Sequence, residues 1–148
     1  MVELRDAWEL LSNYESHELV RNRYITKHNW QPNRSQSRQI AASFIQAREY
    51  FRSADNADLV VKPLLLYYGV VSLSRGLTLF LTPQLWEPSL ARSHGLSRFN
   101  WHDELSKENP DYLNLAVRVN ARGTFNELVH ATGNRNLMRS GSSKINLR

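Results

Sequence analysis

The sequence predicts an all-α, or nearly all-α, domain: a helical bundle around one central apolar helix, with a small irregular C-terminal segment. Three observations lead there. From Leu64 to Leu81 almost every side of a helix would be apolar, and such a helix belongs inside other elements. Before it, Ile40, Phe44, Ala47 and Phe51 recur at four, three and four residues, the stripe of a core-facing helix. After it, Pro83, Pro88, Gly95 and Pro110 interrupt any long element.

Taken in order, Leu4, Trp8 and Leu11 mark one face of a short first helix that Asn13 ends. A second helix is expected from Ser16 to about Lys27, with Leu19, Tyr24 and Val20 inward. The stretch from His28 to Ser35, with Pro32 and several amides, reads as a loop. Ser35 or Ser37 then caps the striped helix, and Ala54 to Ala57 forms the turn after it. Pro63 suits the first turn of the apolar helix, where its missing N–H has no intrahelical partner anyway. Gly69 and Gly76 fall on nearly one face and let a neighbouring helix approach closely. Beyond Thr82-Pro83 a loop-rich segment carries Trp86, Phe99, Trp101 and Tyr112, packed down or, if exposed, able to stack bases beside Arg92 and Arg98. Leu115, Val117 and Val119 alternate as in a short strand over Asn114 to Asn120. Thr124 is expected to cap a last helix with Phe125, Leu128 and Val129.

A chain of 148 residues with 41% hydrophobic and 22% charged residues is an ordinary globular composition. Residues 1–130 are therefore read as a single helical domain and 131–148 as a basic, loosely ordered tail. The absence of cysteine excludes disulfides, thiolate metal sites and cysteine nucleophiles, and fits a reducing compartment. Acids within the first six residues argue against a secretory signal. The apolar helix carries Lys62 and Arg75, so its charge-free stretch is short of the roughly 20 residues of a membrane span. The expectation is a cytoplasmic protein with no membrane partner.

The net charge of +5 lies at one end. From residue 116 onward six basic groups face Glu127 alone, leaving thirteen of each sign before it. Arg135, Arg139, Lys144 and Arg148 are thus candidates for contact with RNA or another nucleic acid, or simply the charges of a solvated tail.

Arg92, His94 and Gly95, with His102 and Asp103 downstream, form a candidate ligand-binding cluster on a loop. An adjacent His and Asp can also be metal ligands, but the spacing demands no further ligand, and no metal or cofactor is expected. The plainer alternative has His94 bonding loop backbone and His102 or Asp103 capping a short helix. No phosphate-binding glycine loop, nucleophile elbow, zinc-helix motif or dinucleotide fingerprint occurs.

Three blocks together, Gln46-Ala47-Arg48-Glu49-Tyr50-Phe51, Lys62-Pro63-Leu64-Leu65-Leu66-Tyr67-Tyr68-Gly69 and His94-Gly95-Leu96, resemble the YaaC-like family of bacterial proteins. Val117-x-Val119 followed by Gly123-x-Phe125 extends that resemblance. It implies no established activity, and the expected function is a binding or interaction module without catalysis, with a homodimer as the expected assembly. The two long helices also resemble, at the level of fold, the HEPN group of helical domains. That resemblance implies RNA cleavage or binding, with Arg21 or Arg23 steadying phosphorane charge and His28 moving the 2′-hydroxyl proton.

Overall fold

The structure, a computed structural model, describes residues 4–134 and 144–146. It is mainly helical, as the periodicities predict. Two compact units divide it, Met1–Leu90 and Ala91–Arg148, where the sequence reads as one domain over 1–130 and a tail.

The first unit holds helices α1 (Leu4–Ser12), α2 (His17–His28), α3 (Arg34–Asp55) and α4 (Lys62–Leu81). On α1, Trp8 packs on Phe51 with ring centroids 5.4 Å apart. Ser16 caps α2 by accepting the Leu19 N–H, and Asn29 closes it in the left-handed region at φ 49°. Val20 and Tyr24 of α2 are buried, but Leu19, expected inward, is exposed. The start of α3 also differs from expectation. Asn33, not Ser35 or Ser37, is the cap, and its side chain accepts the Gln36 N–H at 2.9 Å. Asn at the cap with Gln three residues on is the capping-box spacing.

Ile40, Ala41 and Phe44 of α3 meet Val20, Tyr24, Leu79, Phe80 and Leu90 in one core. Tyr14 lies stacked on Phe44 at 5.1 Å and edge-on to Phe80 at 4.9 Å. The buried phenol of Tyr24 ties three segments together: it accepts the N–H of Gln84 and the amide of Gln36. Burial, which disfavours the phenolate, raises its pKa above the ordinary tyrosine value and outweighs those hydrogen bonds.

The chief packing partner of α4 is α3, and the glycines explain how. A Cβ on Gly76 would meet Phe44 and Ser43 at 3.1 Å, and one on Gly69 would meet the Phe51 ring at the same distance. Only the second half of α4 is covered, however. Ser72, Ser74, Gly76, Thr78, Leu79 and Phe80 are buried, while Leu64, Leu66, Tyr67, Tyr68 and Val70 are exposed. The expectation of a helix enclosed on every side is corrected: α3 reaches one face of its first half, through Gly69, and the other faces stay open. Among the described residues α4 is also the one helix long and apolar enough, by length and composition, to cross a membrane.

In the second unit β1 (Leu96–Arg98), β2 (Ala116–Val119) and β3 (Lys144–Asn146) form an antiparallel sheet in the order β1-β2-β3. Leu96 pairs with Val119, and Val117 with Ile145. Sequence alternation finds β2 and misses both partners, which are too short for a periodic signal. A lone strand has no independent stability. Helix α5 (Trp101–Leu105) is pinned to β2, since the Trp101 indole N–H donates to the Ala116 carbonyl at 2.9 Å. Asn100 completes the stitch, accepting the Ala116 N–H and donating to the Asn114 carbonyl. Helix α6 (Thr124–Ala131) follows Gly123.

Candidate functional site

The first unit carries an open cavity of about 670 Å³ between the start of α2 and the turn into α3. His17, Glu18, Arg21 and Asn22 line it from α2, and Gln31, Pro32, Asn33, Arg34 and Ser37 from the other side. Its floor is fixed. Pro32 and Ser37 are buried, the Ser37 hydroxyl donates to the Asn33 carbonyl, and Asn33 is held as the α3 cap. Neither Arg21 nor Arg34 forms an ion pair with a described carboxylate, whereas Arg48 pairs with Glu15 and Glu49, and Arg75 with Glu87. A second cavity, of about 520 Å³, is lined by Tyr14, Asn22, Arg23, Thr26, Lys27, Phe80 and Leu81.

Arg21 and Arg23 therefore serve different cavities, as two residues some 200° apart on a helix must. Arg23 lies over the Tyr14 ring, 5.2 Å from its centroid. His28 lines neither cavity. Its Nε2 is 2.7 Å from the Phe80 carbonyl, which needs that nitrogen protonated as donor, and its ring packs on Tyr24 at 4.4 Å. This geometry makes His28 a clamp between α2 and the end of α4.

In the second unit the His-Gly block holds backbone together. Gly95 has φ +83° and Gly123 φ +150°, a region that favours glycine. A Cβ on Gly123 would fall 2.0 Å from the Gly95 Cα, so neither position admits a side chain. Around this crossing the His94 carbonyl accepts the Phe125 N–H, the Gly95 carbonyl accepts the Asn120 N–H, and the His94 Nδ1 accepts the Leu96 N–H. The residues that carry the family resemblance here are thus a structural knot at the start of α6. Arg92, His102 and Asp103 are exposed. No group of three or more His, Asp or Glu among the described residues is placed to hold a metal. Trp101 is committed to the Ala116 carbonyl, and Arg118 covers the Phe99 ring at 4.9 Å. Of the proposed nucleic-acid contacts, Arg135, Arg139 and Arg148 lie outside the described residues. Lys144 is described as backbone of β3.

The most distinctive surface of the first unit is apolar. Leu59 and Val60 are 86% and 91% exposed, and Val61, Leu64, Leu66, Tyr67, Tyr68 and Val70 continue the patch along α4. Tyr68 also stacks on Tyr50 of α3, at 5.5 Å between centroids.

Sequence reasoning did not single out His17, Asn22 and Arg34. The Asn33-x-x-Gln36 spacing is the signal that would have started α3 earlier and set Arg34 in its first turn, facing the turn of α2 that carries Arg21. Compared with known proteins, residues 10–148 match the family model described as YaaC-like Protein. No curated protein and no solved structure matches the chain.

Proposed function

The chain belongs to the YaaC-like family, and from that premise we propose that it is a cytoplasmic, non-catalytic interaction module that pairs with a second copy of itself. The observation that carries this reading is the exposed apolar patch of residues 59–70. Soluble monomers keep contiguous apolar patches to roughly 300–600 Å². Eight large side chains at the exposures observed here amount to on the order of 800 Å², which is what one partner contributes to a standard interface. A two-fold axis uses the same surface on both partners, so this one patch can serve both. Stacked Tyr50 and Tyr68 supply the rigid aromatic anchors that dominate such interfaces.

Sedimentation equilibrium across a wide concentration range tests the reading, with wild type beside Val60→Glu/Leu64→Glu. Both residues are exposed, so the double variant keeps the fold of the monomer. The wild type is expected to sediment as a dimer and the variant as a monomer. A monomeric wild type, or a variant that remains dimeric, would refute the proposal. Flotation of the wild type with neutral lipid vesicles would instead assign the patch to a membrane.

A further inference from the structure

Independently of the apolar patch, the cavity between α2 and α3 has the chemistry of an anion site, and we propose that it binds a small phosphomonoester. The argument starts from its volume. About 670 Å³ lies within the range of roughly 300–1,000 Å³ that small-molecule sites occupy. Its lining is rich in polar and cationic groups: Arg21 from α2 and Arg34 from the first turn of α3, with His17, Asn22, Gln31 and Asn33. Guanidinium groups hold phosphate through paired, charge-assisted N–H···O bonds, and two of them can share its oxygens.

The site is also set in advance. Asn29 closes α2, Asn33 caps α3, and buried Pro32 and Ser37 hold the connection between them. Little ordering is left for the ligand to drive. Asn33 already takes up the Gln36 N–H, so the guanidinium groups, rather than the helix end, distinguish this cavity. Elsewhere in the unit, Arg48 and Arg75 are engaged by carboxylates and Arg23 by an aromatic ring. Glu18 is the one acid in the lining. Its carboxylate repels a second phosphate and accepts a bond from a hydroxyl, which favours a monoester carrying hydroxyl groups over a polyphosphate or a nucleic-acid backbone.

The test is an amide NMR titration of the full chain with inorganic phosphate, ribose 5-phosphate, ribose and a short RNA lacking terminal phosphate. Ribose 5-phosphate is expected to give saturable shifts confined to residues 17–22 and 31–37, inorganic phosphate weaker ones, and ribose none. Arg21→Gln/Arg34→Gln should lower the affinity at least about tenfold, as the loss of two charged hydrogen-bond donors predicts. Arg38→Gln, an exposed arginine of α3 outside the cavity, should leave it unchanged. Three results would overturn the proposal: no saturable shift up to about 10 mM ribose 5-phosphate, an equal loss in Arg38→Gln, or binding of the RNA alone. Unchanged thermal melting of the double variant excludes unfolding as the cause of any loss.

Discussion

Leu64 and Leu79 occupy one helix and meet opposite surroundings: Leu64 is 54% exposed and Leu79 has no exposed surface. The second half of α4 lies under Tyr14, Tyr24 and Leu90, and the residues it turns to α3, Ser72 and Gly76, are small. The first half turns Gly69 to Phe51 and leaves leucine, valine and tyrosine in contact with water. Composition alone does not divide the helix this way. What divides it is the supply of partners, because α2 and the segment after α4 converge on one end only. A uniformly apolar helix can thus be core at one end and interface at the other.

The largest expected effect comes from the same truncation made at each end. Leu79→Ala should cost about 2–5 kcal/mol of stability in urea unfolding, the range for a leucine removed from a closed core. Leu64→Ala, measured on dilute monomer, should stay within about 0.5 kcal/mol, as exposed substitutions do. Equal losses would erase the distinction between the halves.

The two glycines sharpen it further. Gly76→Val places bulk against buried Phe44 and Ser43 and should cost about 1–3 kcal/mol by overpacking. Gly69→Ala meets only the half-buried Phe51 ring. Alanine recovers up to about 1 kcal/mol of helix propensity there, so thermal melting should show little net change.

The smallest effect is a pH dependence confined to the covered end. The Tyr24 phenol is kept neutral by burial, so its folded pKa lies above the unfolded value of about 10. Its contribution is complete below that value. As pH rises beyond it the unfolded chain binds fewer protons than the folded one, and stability falls. Urea melts at about pH 8 and about pH 11 should therefore differ less in Tyr24→Phe than in wild type. An unchanged difference would detach Tyr24 from the alkaline loss.

The long helices were legible because period and length coincide over many residues, as at Ile40, Phe44 and Ala47. Boundaries were less so. Ser35 and Ser37 looked like caps, yet Asn33 won because its side chain accepts the Gln36 N–H. The sheet was largely hidden, since β1 and β3 have three residues each and draw their stability from β2 rather than from local preference. Candidate site residues fared unevenly. Arg21 does line a cavity beside His17, four residues earlier on α2, but Arg34 comes from α3, which only the tertiary turn brings there. His94-Gly95 was conspicuous in sequence for a structural reason, the contact of two glycine backbones.

The central claim, that the open half of α4 closes on a second copy, is tested most directly by disulfide trapping, because the chain has no cysteine of its own. Single cysteines would be placed at Val60, Leu64, Tyr68 and Val70, with Ser53→Cys, exposed on α3, as the reference. A bridge needs Cα atoms within about 7 Å, so only positions near a two-fold axis should cross-link quickly under mild oxidation. Rapid dimer formation at one or more of the patch positions, with slow formation at Ser53, is the result the account predicts. Cross-linking no faster in the patch than at Ser53 would contradict it.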